Sequence, residues 1–180
     1  MDFQLSRTYT NIQNAYELEL MQSTLYYIYG NIARQEGYIQ IGNIYDIFQR
    51  NNMEHARIWL RQLNEGTLPD TEQVLLASLQ QEYYMGNQLY REYAQIAHEE
   101  GYYDLESLFN GIANIDLNHG LQLEIQYNDV LRNQVFCKNQ ETLWICMQCG
   151  NILSGICAPE ICPVCGFPQG YYRVYGETPV

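Results

Sequence analysis

The sequence is almost without lysine: Lys138 is the single lysine among nine basic residues, and the formal net charge is -12. A partner with a phosphate backbone needs a positive surface, so this composition argues against nucleic acid as a ligand. No stretch approaches the roughly 18 apolar residues of a membrane span. The N-terminus MDFQLSRTYT also lacks the basic and apolar regions of a signal peptide. We therefore expect a soluble, cytoplasmic protein with no membrane partner.

Cysteine is absent from the helical part of the chain, and all six cysteines follow residue 136. Four of them form two C-x-x-C pairs separated by twelve residues: Cys146, Cys149, Cys162 and Cys165. Four soft thiolates at this spacing predict a tetrahedral metal site, suited to zinc or to a single iron, and spacing alone does not separate the two metals. Cys137 and Cys157 are left over and are predicted to be free thiols, with a disulfide between them as the alternative.

Apolar residues recur at helical spacing up to about residue 136, with helix stop signals near Gly37, in NEGTLPD and in HEEGY. They predict four helices, over roughly 5–35, 38–64, 70–101 and 102–134, joined by short turns into an antiparallel bundle. From about residue 139 the chain is rich in Gly, Pro and Cys and has no helical period. The predicted organisation is a four-helix bundle over 1–138 and a small metal-binding module over 139–180, which needs a metal or disulfides to fold.

Polar residues lie on the apolar face of every predicted helix. They are Glu19 in the first helix, Asn52 and His55 in the second, Glu82 in the third, and Asp116 with His119 in the fourth. Met85 lies on the same face as Glu82. Any one of them could be a satisfied core residue, but buried carboxylates and imidazoles are costly unless they are paired or bound to metal. Together they approach the ferritin-like dimetal pattern of one Glu from each of two helices and Glu-x-x-His from each of the other two. Glu54 is predicted to point away from this site, and His98 to be a solvated surface residue.

The chain resembles the rubrerythrins over nearly its whole length. The matching stretches are SRTYTNIQNAY leading to Glu19, EHA at 54–56, IAHEEGY at 96–102 and CAPEICPVCG at 157–166. The resemblance implies a ferritin-like bundle whose di-iron centre reduces hydrogen peroxide to water, and a rubredoxin-like module whose iron supplies the electrons. It favours iron over zinc at the four cysteines, with zinc as the alternative metal at either site. The implied partners are a second copy in a homodimer or larger homo-oligomer, an electron-donor protein and hydrogen peroxide.

Carried over position by position, the resemblance implies five catalytic metal ligands in the bundle. Glu19, His55, Glu82 and His119 match ligands, and Asp116 matches a Glu that bridges the two irons. Two positions depart from the family pattern: Asn52 replaces the other bridging Glu, and Met85 replaces a Glu that takes part when the iron changes redox state. The bundle ligands then supply about three negative charges where the pattern supplies five, which predicts weaker metal binding. The alternatives are a single metal near His119 or His55, a partly occupied pair and a complete di-iron site.

Three functions follow as alternatives. The first is a rubrerythrin-like peroxidase or electron-transfer protein. The second is a catalytically degenerate relative with a structural or assembly role, which would suit a chain with seventeen tyrosines and little lysine. The third is iron storage or ferroxidase activity.

Overall fold

The computed structural model describes residues 2–176 and divides into two compact units, an N-terminal unit ending at Asp70 and a C-terminal unit beginning at Thr71. The N-terminal unit contains helices α1 (Arg7–Gln35) and α2 (Ile39–Leu63). The C-terminal unit contains α3 (Thr71–Tyr84), a π-helical segment (Met85–Leu89), α4 (Tyr90–Glu99) and α5 (Tyr103–Leu131). Three strands follow: β1 (Cys137–Cys146), β2 (Ile152–Cys157) and β3 (Tyr172–Val174).

The helix bounds agree with the predicted ones to within a few residues, except that the third predicted helix contains an unpredicted π-helical segment. Such a segment inserts a wider turn into an α-helix and is frequent at functional sites. None of the helices in the described range 2–176 combines the length and the apolar character that crossing a bilayer requires.

In the N-terminal unit, α1 and α2 pack as an antiparallel pair. Ser6 caps α1 by accepting a hydrogen bond from the Tyr9 N–H, and the turn after the helix uses Gly37 at a positive φ of 88°. Near that turn Arg34 forms an ion pair with Asp46 and donates to the carbonyl of Gly42 at 3.2 Å. Further along, the Ser23 hydroxyl donates to the Gln49 carbonyl at 3.1 Å. These contacts fix the register of α1 against α2.

In the C-terminal unit, α5 packs antiparallel to both α3 and α4. The Arg91 guanidinium donates to Asn110 at 2.6 Å and to Asn114 at 2.5 Å, which ties α4 to α5. The Tyr83 ring lies over Gly120, where an added Cβ would meet ring carbons at 2.8 Å, and its hydroxyl donates to Glu124 at 2.6 Å. That hydrogen bond raises the pKa of Tyr83 above its usual value. Glycine at 120 therefore makes room for an aromatic contact between α3 and α5.

The π-helical segment approaches α5 most closely at Gly86, and this contact gives a first prediction. A Cβ at Gly86 would lie 2.7 Å from Leu117 Cγ and 2.8 Å from the Ala113 carbonyl oxygen. We expect Gly86→Ala to lower the free energy of unfolding by about 1–3 kcal/mol, because the neighbouring backbone has to move. Urea unfolding followed by far-UV circular dichroism measures the change.

Gly111→Ala is the matched control for this prediction. A Cβ at Gly111 meets no atom within 4 Å. Alanine is also the better helix former, so this variant should gain about 0.5–1 kcal/mol. Two variants of equal stability would show that the close approach at Gly86 does not constrain the fold.

The strands form a three-stranded antiparallel sheet in the order β2–β1–β3. The register places Cys137 opposite Cys157, and the two are joined in a disulfide. The prediction that these cysteines are free thiols is therefore wrong, because strand pairing brings together residues that are twenty positions apart. The buried core of the module consists of five residues: Trp144, Cys146, Ala158, Cys162 and Tyr172.

Candidate metal centres

The four-cysteine site is built from two similar turns. The Gly150 N–H donates to the Cys146 carbonyl at 2.8 Å, and the Gly166 N–H donates to the Cys162 carbonyl at 2.9 Å. Both glycines have positive φ, 77° and 73°, which a residue with a Cβ adopts only with strain. Each turn thus brings the two cysteines of one C-x-x-C pair to the same side of the backbone.

The sulfur atoms have the spacing of a tetrahedral metal site. The Sγ atoms of Cys146 and Cys165 are 3.7 Å apart, as are those of Cys149 and Cys162. All four sulfurs lie within 4.8 Å of one another. With metal–sulfur bonds of about 2.3 Å, the edge of a tetrahedron is about 3.8 Å, so these residues fit a metal ion without rearrangement.

The pKa values of Cys162 and Cys165 are shifted in opposite directions. The Tyr172 hydroxyl and the backbone N–H groups of Cys165 and Val164 lower the pKa of the Cys162 thiol to about 6, against the effect of burial. The Phe167 N–H lowers the pKa of Cys165, but burial and the other three sulfurs outweigh it and raise that pKa to about 12. Bringing four thiolates together without a cation is therefore unfavourable, and a bound metal stabilises the deprotonated set.

In the C-terminal unit, three predicted bundle ligands come together. Atoms of Glu82 on α3 and of Asp116 and His119 on α5 lie within 4.8 Å of one another. Asp116 is buried, and its Oδ2 atom has no hydrogen-bond partner; neither has Oε2 of Glu82, which lies 3.5 Å from Nδ1 of His119. Unpartnered buried carboxylate oxygens are costly. Oxygen and imidazole donors in this arrangement fit a divalent iron, which would satisfy both oxygens.

In the N-terminal unit, two predicted ligands face each other across α1 and α2. Nδ1 of His55 lies 3.4 Å from Oε1 of Glu19. Together with Ile58 and Trp59 they line an open pocket of about 270 Å³. This contact resembles the one between His119 and Glu82. Each unit therefore contains a glutamate that faces a histidine on another helix. The pair of Glu19 and His55 differs in having no second carboxylate, because Asn52 stands where Asp116 stands in the other unit.

The other positions predicted from the sequence lie around these ligand sets or on the surface. Asn52 and Met85 are both half-buried. Glu54 is exposed and pairs with Arg57 at 3.5 Å, away from Glu19. His98 is exposed as predicted, but its Nδ1 lies 2.9 Å from the Glu106 carboxylate. The sequence does not identify Tyr172, which shares the module core with Cys162 and lowers its pKa, because no spacing rule connects Tyr172 to that sulfur.

Known protein families match both the helical part of the chain and the four-cysteine module. The family model described as "Rubrerythrin" matches residues 10–127, and that described as "Rubrerythrin, rubredoxin-like domain" matches residues 144–173. Rubrerythrin-1 of Clostridium acetobutylicum is 30% identical, over 96% of this chain and 96% of its own length. Rubrerythrin of Nitratidesulfovibrio vulgaris is 32% identical over 95% of each chain, and that of Clostridium perfringens is 30% identical over 96% of each.

The fold and the two kinds of site define a non-haem iron protein with ferritin-like helices and a rubredoxin-like four-cysteine module, which confirms the predicted fold class. The chain belongs to the rubrerythrin family. Membership in this family, together with the four-cysteine cluster, supports iron as the bound metal.

Proposed function

We propose that this protein reduces hydrogen peroxide at iron held by the helical ligands, using electrons delivered through the iron of Cys146, Cys149, Cys162 and Cys165. The observation that carries the proposal is the group of Glu82, Asp116 and His119, in which two buried carboxylate oxygens have no hydrogen-bond partner. Iron bound there would exchange electrons with peroxide. Each hydrogen peroxide consumes two electrons and two protons and yields two waters.

The charges of the two helical sets predict an order of metal binding. In the C-terminal unit, Glu82 and Asp116 supply two carboxylates, which balance one divalent cation. In the N-terminal unit, Glu19 supplies one, and the Asn52 amide has no charge to add. Since hard cations bind charged oxygens more tightly than neutral amides, iron should occupy the C-terminal set first. The N-terminal set fills at higher iron concentration.

The proposal is tested by iron analysis of protein purified and loaded without oxygen. We expect about two irons per chain at low iron concentration and about three at high iron concentration. One iron should be bound by the four cysteines in both cases. Hydrogen peroxide should then oxidise the protein rapidly, with about two electrons removed per peroxide. One iron per chain together with no peroxide consumption would contradict the peroxidase.

That last outcome would favour the second candidate, a structural or assembly protein. Its support is the departure at Asn52 and Met85 and the exposure of several tyrosines, including Tyr102 and Tyr103 at 57% and 62%. Oxidation by oxygen faster than by peroxide, with iron accumulating beyond three per chain, would instead indicate storage or ferroxidase activity.

We further propose that the protein acts in the cytoplasm as a homodimer or larger homo-oligomer, supplied by a separate electron-donor protein. The family layout supports this assembly. So does the exposure of large apolar side chains on α5, where Ile115, Leu121 and Ile125 are each more than half exposed.

A further inference from the structure

Tyr172 places a polar group in the small core of the four-cysteine module. It is the first residue of β3, pairs with Cys146 of β1, and is only 3% exposed. Its ring shares the core with Trp144, Ala158 and the ligand Cys162. A phenylalanine would satisfy this packing equally well, so packing alone does not account for the hydroxyl.

The Tyr172 hydroxyl oxygen is buried and has no hydrogen-bond partner. A buried hydroxyl without a partner costs free energy that the aromatic ring does not recover. The buried cluster brings Tyr172 together with Cys162, and burial and Cys162 raise the pKa of Tyr172 while the Asn151 side chain lowers it. The Asn151 amide can donate through its nitrogen or accept through its oxygen, and it stays neutral in either case. The Cys162 sulfur becomes a charged acceptor when metal binding removes its proton, and hydrogen bonds to charged acceptors are the stronger ones.

We propose that Tyr172 tunes the four-cysteine iron by donating a hydrogen bond from its hydroxyl to Sγ of Cys162. Negative charge on the thiolates is greater when the iron is ferrous than when it is ferric. A donor to sulfur therefore stabilises the reduced form more and raises the reduction potential. The redox step is the gain of one electron by the ferric site from the electron-donor protein. The tyrosine keeps its proton, since burial raises the pKa of Tyr172 to about 12.

This inference deepens the electron-delivering half of the proposed function and does not depend on peroxide chemistry. A higher potential makes the iron easier to reduce by a donor and a weaker reductant toward the helical iron. Tyr172 is accordingly a positioning residue, acting on the iron through Cys162.

The test is a redox titration of the iron-loaded full-length Tyr172→Phe variant, followed by the visible absorption of the ferric thiolate site. We expect the ratio of ferrous to ferric iron at a fixed potential to fall about tenfold, which is about 59 mV for a one-electron couple. The charge-transfer bands should also shift. Tyr175→Phe is the matched control, since Tyr175 is half exposed and follows the same strand, and its potential should equal that of the unmodified protein.

Site-specific replacement of Tyr172 by a fluorinated tyrosine provides an independent test that leaves the ring in place. Fluorination makes the hydroxyl a stronger donor, so the potential should rise. Unchanged potentials in both variants, or an equal change in the Tyr175→Phe control, would overturn the inference. A shifted potential in a protein that consumes no peroxide would leave the inference standing while the proposed peroxidase failed.

Discussion

Loss of the metal from the four-cysteine site should unfold the C-terminal module while the helices stay intact. Two of the five residues in the module core, Cys146 and Cys162, are metal ligands, so the core depends on the ion that holds them together. A segment of this size supplies only about 3–5 kcal/mol from apolar burial. Structural metal binding in comparably small modules contributes about 10–16 kcal/mol, so its loss cannot be compensated.

Trp144 provides the measurement because it is fully buried in that core and donates to the Gly155 carbonyl at 3.0 Å. In a Trp59→Phe background it is the sole tryptophan. We expect its emission maximum to move to longer wavelength in Cys162→Ser and in chelator-treated protein, with far-UV helical signal unchanged. Zinc-loaded protein serves as the folded reference. Zinc does not absorb visible light, so it does not quench the tryptophan emission. If the emission maximum stays unshifted without metal, the folding of the module does not depend on the metal.

The disulfide needs its own control, because it also closes the module. Cys137→Ser combined with Cys157→Ser removes it while leaving the four ligands in place. For a loop of this length a disulfide contributes about 3 kcal/mol, less than the metal. The iron-loaded double variant should therefore keep the buried emission of Trp144. Unfolding of this variant would assign the stability of the module to the disulfide instead.

The second large effect is expected at His119. The His119→Gln variant should bind iron at the C-terminal helical set roughly 100-fold more weakly, because a neutral amide oxygen replaces an imidazole beside Glu82 and Asp116. Peroxide-driven oxidation should fall by a similar factor at limiting iron. His55→Gln should have the smaller effect under the same conditions, since its set carries one carboxylate and fills later.

Anaerobic titration with ferrous iron measures the iron affinity of both variants. The iron bound by the four cysteines is quantified separately from the visible absorption of its ferric thiolate form. His98→Gln is the matched control: this histidine is on α4 and contacts Glu106, outside either helical set. Its iron content and peroxide rate should match those of the unmodified protein. If His55→Gln loses as much iron at limiting concentration as His119→Gln, the charge argument for the order of binding is wrong.

The helices and the four-cysteine site could be predicted because both depend on residues close in sequence. Helical spacing of apolar side chains determines which face is buried, and the bounds of α1, α2 and α5 agree with it. Each C-x-x-C pair forms a local turn that its following glycine permits, so the spacing alone predicts four sulfurs in one site. The contact of His119 with Glu82 was also expected, from the polar positions on apolar faces.

Other features depend on pairing between distant segments. The π-helical segment at Met85–Leu89 contains Gly86, which packs closely on α5, and no local propensity reveals this contact. Cys137 and Cys157 are bonded because the register of β1 against β2 places them opposite each other. Register is set by the whole strand pair, whereas cysteine counting leaves several pairings open.

The sequence by itself determined the class of this protein and the four sulfur ligands, because residue type and local spacing carry that chemistry. Its resemblance to the rubrerythrins predicts that Asn52 and Met85 replace carboxylates of the family pattern. Only the tertiary structure decided which oxygens are buried without a hydrogen-bond partner, which cysteines are bonded, and that Tyr172 shares the module core with Cys162. These depend on how strands and helices approach in space. The electrostatics of a metal site are set by such approaches as much as by its ligands.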